Sequence, residues 1–201
     1  MKKYKHKYIL IYNKIQMLLI GVLGRKRVGK DTTADYLVNK HKFGLKIAFA
    51  TPLKDACKLL FNFTDEDVND KKDIINHTWG VTPRTMLKYF GTDIFRNDIQ
   101  NVLPNVEDKF WAKLCLEKCI SSHKDRVVIS DVRFQNEIDY IHKYNGIVIK
   151  LVNRNVPQDP DENQIDQLKG DYTIYNEQDY DYLYKCIDHT IDDILHIYRN
   201  E

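Results

Sequence analysis

Nine residues near the beginning of the chain, Gly24-Arg25-Lys26-Arg27-Val28-Gly29-Lys30-Asp31-Thr32, restrict the possible folds more than any other stretch. An apolar run, Met17 to Leu23, precedes them, and a helical pattern carrying Thr33, Ala34, Tyr36, Leu37 and Val38 follows. A strand, a loop bracketed by glycines and a helix, in that order, make a phosphate cradle. The glycines let backbone N–H groups curl around phosphate oxygens, the helix N-terminus faces the anion, and the lysine reaches the outer phosphates. Gly24, Lys26, Arg27, Val28, Gly29, Lys30, Asp31 and Thr32 are therefore candidate contacts for a nucleoside triphosphate such as ATP. The plainer alternative is a glycine-containing turn beside a solvated basic patch.

One position departs from the usual phosphate-loop pattern. After Gly29-Lys30 a Ser or Thr normally offers a hydroxyl to Mg²⁺, and here Asp31 stands there, followed by Thr32 and Thr33. A carboxylate suits the first turn of a helix, but beside a triphosphate it adds like charge unless a divalent cation lies between them. Strict Mg²⁺ dependence is expected, with Asp31 as a candidate ligand.

At 201 residues the chain is long enough for one domain with a sizeable core. A net charge of +2 gives no electrostatic reason to expect a nucleic-acid partner. The four cysteines, Cys57, Cys115, Cys119 and Cys186, form no C-x-x-C, and no His cluster completes a zinc site. Cys115 and Cys119 share one helical face and read as buried thiols of a reduced, intracellular protein. No apolar run approaches the eighteen or so residues that span a bilayer, so no membrane partner is expected. Residues 1–16 are rich in Lys and Tyr and read as a flexible basic arm, with Met17 as an alternative start.

Beyond the loop, strand patterns at Leu45 to Phe49, Arg126 to Ser130, Ile147 to Val152 and Asp171 to Tyr175 alternate with helical ones. That alternation predicts a three-layer, doubly wound, mainly parallel α/β sheet, with ligands outside the strand C-termini. Residues 17–201 are expected to form one such domain, carrying a helical insertion over about 52–122 and a mobile, lid-like loop over about 153–169. Within the insertion, Leu53, Ala56, Cys57, Leu59 and Leu60 form one stripe. Thr82-Pro83 opens a second helix that Gly91 is expected to interrupt, and a third begins at Pro104-Asn105.

Phosphoryl transfer needs positive charge around the migrating group more than it needs a base. Asp131 and Arg133 follow a central strand and should face the crevice, Asp131 holding Mg²⁺ through its waters and Arg133 meeting a phosphate. Alternatively Asp131 caps the next helix and Arg133 pairs with Glu137. Arg84 and Arg96 are candidates to grip an acceptor phosphate or, equally, partners in surface ion pairs. Arg154 opens the lid-like loop and is placed to close on the transferred phosphate. Trp111 either stacks on a nucleobase or packs in the core.

The segments Gly24 to Tyr36, Arg84 to Asp93 (R-T-M-L-K-Y-F-G-T-D), Phe110 to Leu114, Ser130 to Glu137 (S-D-V-R-F-Q-N-E) and the last strand with Asn176 together resemble the deoxynucleoside monophosphate kinases of bacteriophages and other large DNA viruses. The resemblance implies a nucleotide-kinase fold of the P-loop type and the reaction ATP plus dNMP giving ADP plus dNDP. It assigns phosphate-loop roles to Gly29, Lys30, Asp31 and Thr32, and monophosphate-site roles to Arg84, Asp93, Trp111, Asp131, Arg133 and Glu137. The family's His-x-Ser/Thr-Glu cluster is replaced here by Asp161-Glu162-Asn163-Gln164. Two rival readings stay open. One is a kinase of another phosphorylated acceptor, such as phosphomevalonate. The other is a nucleotide-binding regulator or nucleic-acid-associated ATPase. A homodimer is compatible with any of them.

Overall fold

The computed structural model describes residues 17–157 and 159–200, so the basic arm lies outside the described residues. Five strands, β1 (Leu18–Leu23), β2 (Leu45–Ile47), β3 (Arg126–Val132), β4 (Ile147–Val152) and β5 (Tyr172–Tyr175), form one sheet in the order β2-β3-β1-β4-β5. Every pairing is parallel. Parallel neighbours require crossovers, and helices supply them. Three of them are α1 (Lys30–Asn39), α5 (Phe110–Ser121) and α6 (Gln135–Lys143), while α8 (Tyr180–Asn200), which follows β5, packs on the sheet without crossing over.

Side chains of β1 alternate between the two faces, as a strand buried on both sides must do. Leu19 and Leu23 point to a core shared with Ala112, Cys115, Leu116 and Cys119 of α5 and Ile138 and Ile141 of α6. Leu18, Ile20 and Val22 point to the other, shared with Ala34 and Leu37 of α1 and Leu183, Ile187, Ile191 and Ile194 of α8. This is the expected three-layer arrangement, and Cys115 and Cys119 are buried free thiols. Each fully buried Leu or Ile contributes roughly 1.5–3 kcal/mol relative to exposure.

Between β2 and β3 lies the helical insertion: α2 (Thr51–Phe61), α3 (Asp65–Val68), α4 (Pro83–Lys88) and a π-helical continuation, Tyr89–Asn97. Its small core gathers Cys57, Phe63 and Val68, with Leu53, Met86, Leu87 and Phe90 against them. The expected stripe of α2 holds only in part. Leu59 and Leu60 are 85% and 58% exposed, because no described residue covers that side of the helix. Thr82 caps α4 by accepting a hydrogen bond from the Thr85 N–H, as its sequence signal predicts. Gly91, by contrast, does not interrupt the helix. The chain runs through it in π-helical form, and a Cβ there would lie 2.7 Å from Leu53 Cδ2, so the glycine permits close packing of α2. The helix expected at Pro104 begins instead at Phe110, after a 3-10 turn at Glu107–Lys109.

The stretch expected to be a mobile, lid-like loop contains helical turns. It carries a 3-10 turn, Pro160–Glu162, and a short helix, α7 (Asn163–Gln167). Ile165 is its anchor, 1% exposed and part of the core beneath α5 and α6. Ile165 and Leu168, three apart among polar neighbours, are too few to leave a periodicity to read.

Candidate active site

The loop after β1 turns through left-handed backbone at Arg27 (φ 67°) and again at Gly29 (φ 100°), where α1 begins. Successive N–H groups are thereby directed inward, which is the geometry of an anion nest. Gly29 is obligatory on two grounds: its φ, and the Asn176 Nδ2 atom that would lie 2.8 Å from any Cβ. That amide donates to the carbonyl of Val28 at 3.0 Å, bracing the loop from the end of β5. Lys30 is 8% exposed and donates to the Arg25 carbonyl at 2.6 Å. Burial, aided by the charge of Arg133, lowers its pKa to about 8 against the opposing pull of Glu162, Asp31 and Asp131.

Two clefts open on either side of this lysine. One, of about 510 Å³, is lined by Lys26, Arg27, Lys30, Asp31, Lys54, Lys72, Arg96, Trp111, Asp131, Arg133, Phe134 and Glu137 among others. The second, of about 630 Å³, is lined by Arg27, Gly29, Lys30, Asp31, Thr32, Asn153, Asn176, Gln178, Asp179 and Tyr180. Arg27, Lys30 and Asp31 belong to both. Most of the residues singled out in the sequence are therefore brought together.

Their individual environments differ from the expected pairings. Asp131 does not cap the helix that follows it; its two oxygens accept the Phe49 and Ala50 N–H groups at 2.5 and 3.1 Å, at the entry to α2. Burial raises its pKa. Arg133 pairs with Glu162, Nη1 to Oε1 at 2.9 Å, and only its backbone N–H reaches Glu137, at 2.8 Å. Glu137 is 5% exposed and also accepts the Phe134 N–H; burial pushes its carboxyl up to about 8, with the negative charge of Asp131 adding to the shift. Arg96 lies over the Phe134 ring, 4.1 Å from its centroid, with an Nη2 atom 3.8 Å from Glu137. Trp111 is a buried residue with an edge on the cleft, and its Nε1 donates to the Gly91 carbonyl at 2.9 Å. Gly24 and Val28 shape the loop from behind: Val28 is buried, and a Cβ on Gly24 would lie 2.8 Å from the Leu151 carbonyl.

Besides Gly24 and Val28, three candidates lie outside the linings of these clefts. Arg84 donates from Nε and Nη2 to the two carboxylate oxygens of Asp73, on the neighbouring turn. Asp93 is exposed on the π-helical segment. Arg154 is 74% exposed, 3.5 Å from Glu177 and over the Tyr175 ring.

A family model described as deoxynucleotide monophosphate kinase matches residues 61–187. A protein of Acanthamoeba polyphaga mimivirus described as "Putative deoxynucleotide monophosphate kinase" is 36% identical over 191 residues, covering 86% of this chain and 97% of that one. The chain belongs to the deoxynucleotide monophosphate kinase family. Among solved structures, a dephospho-CoA kinase from Campylobacter jejuni is 16% identical with a TM-score of 0.45, covering 88% of this chain and 96% of that one. This kinase is a phosphotransferase acting on a deoxynucleoside monophosphate, which sets aside the phosphomevalonate-type and ATPase readings. No helix among the described residues is long and apolar enough to cross a membrane.

Several residues in or beside these clefts escaped sequence reasoning. Lys54 and Lys72 line the cleft from α2 and from a polar connection, where a lysine carries no distinguishing signal. Glu162 comes from the segment taken for a loop. Asn153 could have been found, since it follows the end of β4 as Asp131 occupies the end of β3.

Proposed function

We propose that ATP is the phosphoryl donor, seated in the cleft of Gly29, Thr32, Asn153, Asn176 and Tyr180, and that the deoxynucleoside monophosphate occupies the cleft of Arg96, Trp111, Phe134 and Glu137. The observation that carries this reading is the sharing of Arg27, Lys30 and Asp31 by the two clefts, since a phosphoryl group passing between two nucleotides must cross a boundary common to both. Lys30 and the loop amides neutralise the donor phosphates. Arg133 and Arg96, with Lys54 and Lys72, give the acceptor side the positive charge that a phosphate monoester and its transition state call for. Phe134, with Arg96 across it, offers a flat apolar surface near the acceptor base.

Mg²⁺ fits the residues present. Asp31 is 82% exposed on the shared boundary, with Lys46 as its ion-pair partner at 3.3 Å, and each Asp131 oxygen accepts a single N–H. Mg²⁺ is commonly held by one or two carboxylates, with substrate phosphates and water completing the shell. Asp31 and Asp131 are the side chains that would hold it. When bound, it neutralises phosphate charge and screens the nucleotide from the Asp31 carboxylate.

The test is a panel of dGMP, dTMP, dAMP and dCMP with ATP and Mg²⁺, using Lys30→Ala as the blank. At least one acceptor is expected to give its diphosphate, and none should turn over when EDTA is in excess. Arg96→Ala is expected to raise acceptor KM about tenfold or more while ATP KM stays within about twofold, in line with the loss of a charged hydrogen-bonding group. The opposite pattern would reverse the assignment of the clefts.

A further inference from the structure

Glu162 belongs to the short ordered stretch between β4 and β5, far from the phosphate loop in sequence, yet its side chain is only 7% exposed. Its Oε2 accepts the Lys26 N–H, inside the phosphate loop, at 2.7 Å. Its Oε1 accepts Nη1 of Arg133, on the acceptor cleft, at 2.9 Å. A buried carboxylate is costly unless paired and fully hydrogen-bonded, and here both oxygens are engaged, by two different parts of the site.

The same stretch grips the residue preceding Lys26. Asp166 takes Nε and Nη2 of Arg25 at 2.8 and 2.6 Å, Asn163 takes Nη2 at 3.0 Å, and the Asp159 carbonyl takes Nη1 at 3.1 Å. Ile165, buried in the core, anchors these contacts to the body of the sheet. Lys30 holds the Arg25 carbonyl from the other side. The first half of the phosphate loop is thus fastened from outside by this stretch and from within by its own lysine.

We infer that Glu162 is a positioning residue for phosphoryl transfer, fixing the Arg133 guanidinium on the acceptor cleft and tying its place to the backbone of the phosphate loop. A guanidinium carries five N–H donors in a rigid fork, so one can be pinned to Glu162 while others remain to meet phosphate oxygens. Without the pin, a side chain that is 41% exposed regains its rotamers. This inference rests on the assignment of Arg133 to the phosphate made above.

Steady-state kinetics on Glu162→Gln, Glu162→Asp, Arg133→Ala and the Arg133→Ala/Glu162→Gln double variant, with thermal unfolding of each, test it. Glu162→Gln is expected to lower kcat by roughly 10–100-fold, the range seen when a partner that orients a functional group is removed, with the acceptor KM changed far less and Tm nearly kept. In the Arg133→Ala background the same change should cost less than about threefold, because the two residues act as one unit. Glu162→Asp keeps the charge but shortens the reach, and is expected to fall between wild type and Gln; it carries the comparison if the Gln variant does not fold. An Arg133→Ala enzyme with full turnover overturns the assignment of Arg133 and this inference with it. Impaired Arg133→Ala beside a fully active Glu162→Gln, or multiplicative losses in the double variant, overturns this inference alone.

Discussion

Lys30 shows how a single side chain can be unfavourable for stability while serving, on the proposed reading, the chemistry. Its ammonium is desolvated and next to Arg133, so its pKa is lowered to about 8. The folded state disfavours the proton, a deficit present below pH 8 and relieved as pH rises toward the ordinary value of 10.5. Lys30→Met at pH 7 is therefore expected to hold or raise Tm while lowering kcat by on the order of 10²–10³, the loss typical of removing one preorganised donor. Parallel melting and turnover assays check both. Glu137 makes the complementary case. Its carboxyl is raised from 4.5 to about 8, chiefly by burial, so the unfolded chain releases this proton before the folded one does. Its contribution is intact below pH 4.5 and is lost progressively as pH climbs to about 8. Glu137→Gln keeps an acceptor for the Arg133 and Phe134 N–H groups and removes the titration. Its Tm relative to wild type should rise by several degrees between pH 5 and 8, corresponding to a few kcal/mol; a constant difference across that range would refute the shift. Lys30, Asp31 and Asp131 were legible in the sequence because loop spacing and strand ends are local signals. Of the two readings left open for Arg84, the ion pair is the one that forms, and its partner, Asp73, lies on a turn with no pattern of its own.

Among the elements, the strands could be read within a residue or two, since β-branched runs bounded by polar residues leave few alternatives. The insertion was harder. Its core is small, so a helix such as α2 can bury Cys57 completely and leave Leu59 in water. The π-helical continuation of α4 left no mark, since Gly91 is a helix breaker by propensity and is tolerated here for the contact it permits with Leu53. Helix α7 depends on a single anchor. Ile165→Ala is expected to cost about 2 kcal/mol or more through the cavity it leaves. It should also loosen the grip on Arg25 and Lys26, which predicts faster cleavage by limited proteolysis between β4 and β5 and a lower kcat, with no change in the rest of the sheet. Cleavage at the wild-type rate would show that the stretch is held by its polar contacts alone.

For the whole molecule, the layer order and the place of the crevice followed from alternating strands and helices, whereas the pairing of the two clefts did not. Their common boundary joins residues of one loop to partners contributed by β3, β4 and β5, and contacts at such separations leave no periodicity in a sequence. The position of β1 has one more effect. Its two sheet neighbours are β3 and β4, which begin at Arg126 and Ile147. The nucleotide cradle begins more than a hundred residues ahead of both its flanks in the sequence, and closing such long loops makes assembly slow. A fragment of residues 17–124 is accordingly expected to show no protection of β1 amides in hydrogen exchange and no ATP binding by calorimetry. During synthesis the glycine turn and its lysine would then wait, unable to capture nucleotide, until the part of the chain that receives the phosphate is already in place.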